Sequence, residues 1–346
     1  VVIIPWRERA IEIWKENTQR PNWGIITDRL MHEFQTHLHP ETVRSAIRNT
    51  CEYKSLRGTE KPVLGPPAHS QTHCGKTERK SRPETAVWHL TDIHEGKKTD
   101  SFDPDVLEER LLRGAKRIVL ITQILKKTYT LDKLVIAITG DVIDNDSIYP
   151  NQQSHVSEKA KAGRQQVNRL TETMAMVIDI LKQEYAIIEV ECVYGNHGRI
   201  SKTTDEKNNW DLVFYDQLKA YYTTDSSVTV NISEKFYKVV DIQGHGFLLY
   251  HGHAIKMSHG IPWYGMTKRI GAWKTSIGGF RYALVGHFHT IGMTQAAGVD
   301  IYMGGCCPTG DDWALEGLGT KSDQRYWFFG VHEEQGITWE YKIDLL

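Results

Sequence analysis

Downstream of Thr85 the chain alternates short apolar runs with long helical patterns, and this alternation constrains the fold more than any other feature. The runs are "AVWHL", "LVIAI" and "AIIEVECV", and helical periodicity fills the stretches near 105–127 and 158–184. Uninterrupted apolar strands need cover on both faces, and parallel neighbours need a crossover of a dozen or more residues, which helices supply. The expected class is therefore α/β. After a further helix, "WDLVFYDQLKAYY", the pattern changes to closely spaced strands: "FYKVVDIQGHGFLLY", "RYALVG", "VDIYMGG", "YWFFGVHEE" and "GITWEYKI". That spacing predicts antiparallel pairing. Two sheets packed face to face as a β-sandwich, flanked by helices, would accommodate both halves.

Upstream the character differs. Residues 6–50 show helical periodicity, with Ala10, Ile11, Ile13 and Trp14 on one face, and "HPETVRSAIRNT" begins a short helix at Pro40 with Val43, Ala46 and Ile47 on one side. This outline resembles a helix-turn-helix, and "PETVRSAIR" resembles its recognition helix. Residues 1–60 carry about nine basic against eight acidic side chains, so charge does not separate a DNA-binding module from a plain helical docking module. Residues 58–84, rich in Gly, Pro, Ser, Thr and Lys, read as a linker. The expected organisation is a small all-α module at 1–57, a linker at 58–84 and a large domain at 85–346.

A 346-residue chain with 40% hydrophobic residues can bury a large core. Its 42 basic and 43 acidic residues leave a formal charge of -1, which excludes a global basic field for nucleic acid or anionic membrane; such contacts must be local. Five cysteines, Cys51, Cys74, Cys192, Cys306 and Cys307, do not form a disulfide scaffold. Cys51, His69, His73 and Cys74 could in principle hold zinc, but their spacing fits no common finger. The chain opens on Val1 rather than Met, which suggests trimming or a partial chain. "VVII" is too short for a signal peptide or a membrane span, so a cytoplasmic location without membrane contact is expected.

The chemistry is concentrated where the expected strands end. "HLTDIHEG" presents Asp92 and His94, "ITGDVIDND" presents Asp141 and Asp144 after Gly140, and "VYGNHGR" presents Asn196 and His197. "LYHGHA" adds His251 and His253, and "LVGHFHT" adds His287 and His289. Open α/β sheets place ligands at the carboxyl ends of their strands. Singly, each block has an ordinary explanation: Asp and Asn make turns there, and a lone His is usually a hydrogen-bonded side chain.

Together and in order, D-x-H, G-D-x-x-D, G-N-H, H-G and G-H-x-H resemble the calcineurin-like metallophosphoesterases over roughly residues 86–346. The resemblance implies that one metal takes Asp92, His94 and His289, that the other takes Asn196, His251 and His287, and that Asp141 bridges them. It places His253 outside the direct ligands. Two divalent ions about 3.5–4 Å apart do require a bridging carboxylate, and can share a hydroxide of lowered pKa that attacks phosphorus. Imidazole, carboxylate and one amide oxygen suit manganese, iron or zinc, with magnesium as a further alternative. Manganese is preferred through the nuclease-like resemblance below. His197 is expected to face the substrate as an acid, with Asp144 fixing its tautomer.

Three features bear on the substrate. Asn145-Asp146 stands where protein phosphatases carry Arg-Gly, and "GDVIDNDSIYP" with "GNHGRISKTTDEKNNWD" resembles DNA-repair nuclease-like members of phages and archaea. Aromatic and basic residues also cluster around the motifs: Tyr149, Arg199, Lys202, Trp263, Tyr264, Lys268, Arg269, Trp273 and Lys274. Such interleaving can stack bases and follow a backbone. Arg199, Tyr149, Trp263, Tyr264 and His253 are the expected substrate contacts. A nuclease or phosphodiesterase acting on DNA or RNA, at single strands or ends, is the leading expectation. The alternative is a phosphomonoesterase or cyclic-nucleotide phosphodiesterase on a small substrate, and the helical module would then serve assembly or a partner. A DNA-binding protein with a lapsed site fits worst, because every ligand position is filled.

Overall fold

The computed structural model describes residues 6–16, 23–35, 37–48, 83–149, 152–258, 261–310 and 322–346. The chain divides into two compact units, Val1–Arg79 and Lys80–Leu346. The expected zinc set lies outside the described residues, as does the expected linker apart from Pro83 and Glu84, which open the first strand.

The first unit contains α1 (Trp6–Glu16), α2 (Trp23–Phe34) and α3 (Pro40–Arg48). Trp6, Ala10, Ile13 and Trp14 recur at three- and four-residue intervals, so they share one face of α1. They meet Ile26 and Leu30 of α2 and Val43 and Ile47 of α3 in one buried cluster.

In the second unit a six-stranded sheet has the order β11-β10-β1-β2-β3-β4. Its strands are β1 (Pro83–Leu90), β2 (Thr130–Ile138), β3 (Ile187–Cys192), β4 (Val228–Ile232), β10 (Arg325–His332) and β11 (Gly336–Asp344). A five-stranded sheet has the order β5-β6-β7-β9-β8, from β5 (Tyr237–Ile242), β6 (His245–Tyr250), β7 (Tyr282–Val285), β8 (Gly292–Ala296) and β9 (Val299–Met303). Helices α4 (Pro104–Leu125), α5 (Gly163–Leu181), α6 (Trp210–Tyr221) and α7 (Trp263–Ser276) connect them. Side chains alternate across a strand, and β1 shows the consequence. Ala86, Trp88 and Leu90 join the core that includes α4, α5 and α6, whereas Val87 joins the core between the sheets with Phe247, Leu284 and Phe329. This is the two-sheet α/β architecture with flanking helices that the strand pattern implies.

The pairing of the second sheet corrects the expectation of antiparallel strands. β6 pairs with β7, and β7 with β9, in parallel. The reason is α7, which lies between β6 and β7 in the chain and packs on β8 and β9, making that connection a crossover. Two further strands not among the expected runs, β4 and β8, both lie at sheet edges. Among the described residues no helix is long and apolar enough to cross a membrane.

Candidate metal centre

All five blocks sit at the carboxyl ends of parallel strands: β1, β2 and β3 in one sheet, β6 and β7 in the other. The loops after β1 and β2 are zipped together, since the backbone amides of Asp92 and His94 donate to the carbonyls of Gly140 and Asp141, both at 3.0 Å. Asp92, His94, Asp141, His287 and His289 all adopt positive φ, between 49° and 75°. Such conformations cost roughly 1–3 kcal/mol each in residues with a side chain, and persist where the surroundings over-determine them. Close approach supplies part of that constraint. A Cβ on Gly195 would lie 2.1 Å from Asp141 Oδ1, and one on Gly286 would lie 1.9 Å from Thr91 Oγ1. Only glycine permits either contact.

Three groups of ligand-type atoms result among the described residues: Asp92, His94 and His289; Asp141, His251 and His287; and His94, Asp144 and His197, which shares His94 with the first. In the first, His94 Nε2 lies 3.1 Å from His289 Nε2, and His289 Nε2 lies 3.2 Å from Asp92 Oδ1. His94 Nδ1 faces Asp144 Oδ1 at 2.9 Å. The neighbouring His197 and His94 hold the Asp144 carboxyl well below the usual carboxylate range against its burial, so it accepts. The proton of neutral His94 therefore sits on Nδ1, and the Nε2 lone pair points into the cluster. Asp92 Oδ2 accepts from Thr91 Oγ1 at 2.6 Å and from the His287 amide at 2.8 Å, while Oδ1, fully buried, has no hydrogen-bond partner.

In the second, His251 donates from Nδ1 to the Thr139 carbonyl at 2.8 Å. Its Nε2 then meets two acceptors, Asp141 Oδ2 at 2.9 Å and Asn196 Oδ1 at 3.0 Å. A neutral ring would place three lone pairs against one another. Burial would lower the His251 pKa, yet the Asp141 charge beside it overrides this and holds the ring at about 9. Burial pushes His287 the other way, down to about 3, and so keeps it in the neutral form that binds metals. His289 is raised well above the usual imidazole value by Cys306 and Asp92, against burial. The first two groups thus demand positive charge where the atoms converge. Ligand atoms of Asp92, His94 and His289, and of Asp141, His251 and His287, each lie within 4.8 Å of one another. The orphaned Asp92 oxygen and the opposed lone pairs fit two cations bound by imidazole and oxygen.

His197 is anchored by its amide, which donates to Asp141 Oδ1 at 2.7 Å. Its Nδ1 stands 3.2 Å from Asp144 Oδ1, within ion-pair reach but off the line of a hydrogen bond. Asp144 therefore serves His94 first, a partnership the motif spacing does not reveal. Tyr149 accepts from Asn196 Nδ2 at 2.6 Å, which turns the amide oxygen toward His251. Arg199 donates from Nε to the Asn196 carbonyl at 3.0 Å, and His253 lies 3.9 Å from Glu206.

The "PWYGMTKRIGAWK" stretch behaves differently from the aromatic rim expected. The Trp263 indole covers Gly292, and Trp273 packs with Phe236, Tyr237 and Tyr250. Arg269 is spent on the Ala254 carbonyl and the Trp273 face, and Lys274 on the Phe280 carbonyl. Tyr264 alone of these aromatics is well exposed, at 68%. The physical reason is that α7 must cover the second sheet, so its large side chains face inward.

Two supporting groups escaped sequence reasoning. Asp211, buried in the first turn of α6, accepts from the amides of Asp141 at 3.0 Å, Gly195 at 2.8 Å and Ile143 at 3.1 Å. Gln166 accepts from the Asn145 amide at 2.9 Å, and Asn145 Nδ2 reaches the Arg199 carbonyl at 2.7 Å. The only sequence signal was the Asn209 cap in "NNWD", whose Oδ1 accepts from the Asp211 amide at 2.9 Å.

No protein-family model matches the chain, and no curated protein is significantly similar to it. Among solved structures it is similar to Zn-complexed wild-type Vps29 from Entamoeba histolytica (11% identity, 75% of this chain and 99% of that one, TM-score 0.33). It is also similar to a novel archaeal phosphodiesterase (13%, 74% and 99%, TM-score 0.35) and to a putative 5'-nucleotidase from Staphylococcus aureus (9%, 76% and 54%, TM-score 0.37). Likenesses this distant leave the reading of the site to its own geometry.

Proposed function

We propose that the chain is a binuclear-metal-dependent phosphoester hydrolase, a nuclease or phosphodiesterase acting on DNA or RNA. The observation that carries this reading is the meeting of His251 Nε2 with Asp141 Oδ2 and Asn196 Oδ1, beside the equally crowded Asp92, His94 and His289. Asp92, His94 and His289 would hold one ion, Asn196, His251 and His287 the other, with Asp141 between them. Two divalent ions, manganese in our reading, would supply Lewis acidity and a lowered water pKa.

The chain's own groups do the rest. Hydrolysis of a diester breaks one P–O bond; water gives its oxygen to phosphorus, and the leaving oxygen must gain a proton. His197 is the group we assign to that proton, because its side chain is 23% exposed beside the ligand clusters and its backbone is fixed by Asp141. Asp144 fixes the His94 tautomer and lies within charge range of His197. Arg199 and Tyr149, at the Asn196 edge, supply substrate contacts, with His253 and the exposed Tyr264 further out. The N-terminal helical unit would bind nucleic acid or a partner.

The test is a panel of labelled single-stranded DNA and RNA, mononucleotides and bis(p-nitrophenyl) phosphate, assayed with Mn, Mg, Zn or no metal. The expected outcome is Mn-dependent cleavage of polymer and diester, abolished by Asp141→Ala and His197→Ala. Hydrolysis of nucleotide monoesters without polymer cleavage would instead establish a small-substrate phosphomonoesterase.

A further inference from the structure

Beside the Asn196 edge of the site, two cations gather on one tyrosine. Arg199 NH2 lies 3.4 Å from the Tyr149 hydroxyl, and Lys202 Nζ stands 4.6 Å from the centre of the Tyr149 ring. Tyr149 in turn packs against His197, with ring centroids 4.9 Å apart, and accepts from Asn196. The Arg199 side chain is 19% exposed and tethered through Nε to the Asn196 carbonyl, so its guanidinium is pre-positioned. Its only anionic neighbour in ion-pair range among the described residues is Glu206, at a loose 3.5 Å and 44% exposed. A guanidinium held beside a scissile centre, with a displaceable carboxylate as counter-charge, is suited to a second anionic group on the substrate.

We infer that Arg199 and Lys202, gathered on Tyr149, form a subsite for the phosphate that neighbours the scissile one, which makes the substrate an oligonucleotide rather than a mononucleotide. This rests on the phosphoesterase reading above. Glu206 holds Arg199 until that phosphate takes its place, and its carboxylate competes with the incoming charge. The departure at Asn145 agrees with this division of labour. Its amide is spent on the Arg199 carbonyl and thereby fixes the segment that carries the cation, instead of offering charge itself.

The test compares TpT, which has one phosphodiester, with TpTpT, which has a neighbouring phosphate, using the Mn-loaded full chain. Wild-type kcat/KM for TpTpT should exceed that for TpT by about tenfold, the scale of one charge-assisted phosphate contact. Lys202→Ala and Arg199→Gln should each lower that ratio severalfold, and Glu206→Gln should raise it. Lys202 is exposed, so its replacement leaves the core untouched. A readout without turnover is anisotropy of labelled decathymidylate on metal-free protein. Lys202→Ala should make the slope of log Kd against log salt shallower by about 0.7, the value for one lost single-strand phosphate contact. Equal efficiency on TpT and TpTpT, or an unchanged ratio and salt slope in the variants, overturns the subsite and leaves the phosphodiesterase reading standing. Absence of hydrolysis of TpT, TpTpT and bis(p-nitrophenyl) phosphate overturns both.

Discussion

Replacing Asp211 by Ala should damage the site without touching a ligand. The Asp211 carboxylate is fully buried and accepts three backbone amides, those of Asp141, Ile143 and Gly195. These are the loops after β2 and β3, which carry Asp141, Asn196 and His197. An unmade bond to a buried amide costs about 1–3 kcal/mol, and water entering the vacated space recovers part of the total, so the sum should be about 3–5 kcal/mol. Asp211→Asn keeps one acceptor oxygen and should lose about half of that. Urea unfolding of metal-free protein, followed by tryptophan fluorescence, measures the stability change. Titration calorimetry with Mn measures the effect on the ions, and the affinity loss should be about 10–100-fold, as for other groups that orient ligands. A stability loss below about 1 kcal/mol together with unaltered Mn binding would show that Asp211 does not hold these loops, because three amides left unpaired cannot be that cheap.

Further outcomes follow from the same geometry. His289→Ala should weaken the ion beside Asp92 and His287→Ala the ion beside Asn196, each leaving one tight Mn per chain by calorimetry; equal loss of both ions in either variant would contradict the division. Asp144→Asn should lower turnover and shift its pH profile, since one oxygen faces both His94 and His197; an unchanged profile would remove Asp144 from the mechanism. Burial lowers His89 from 6.5 to about 3, so the stability it contributes is complete above pH 6.5 and is lost as pH falls toward 3. His89→Gln should therefore flatten the fall in unfolding free energy between pH 6 and 4, by up to about 1.4 kcal/mol per pH unit in metal-free protein. Parallel curves for the two proteins would show that His89 is not buried neutral.

Much of this arrangement was legible in the sequence because ligand residues and strand ends are both local signals. "LTDIH" follows an apolar run and "VGHFH" follows another, and strand topology then brings the two together as Asp92 and His289. What stayed hidden depends on distance along the chain. Asp211 reaches amides 16 to 70 residues away, and nothing in "NNWD" announces them beyond a helix cap. The left-handed backbone of Asp92, Asp141 and His287 was nearly as silent, because Asp and His are enriched in that conformation yet adopt it at too few positions to mark any one of them. "PWYGMTKRIGAWK" misled for the opposite reason. Its aromatics and cations form a plausible nucleic-acid rim in one dimension, yet on α7 most of them are occupied in covering a sheet.

A binuclear centre requires two bound ions per chain for hydrolysis. Metal-free protein should be titrated with Mn while turnover of bis(p-nitrophenyl) phosphate is followed against bound metal per chain. The prediction is little turnover up to one ion and a steep rise between one and two. Full turnover at one ion, turnover without metal, or none with two ions bound would contradict it.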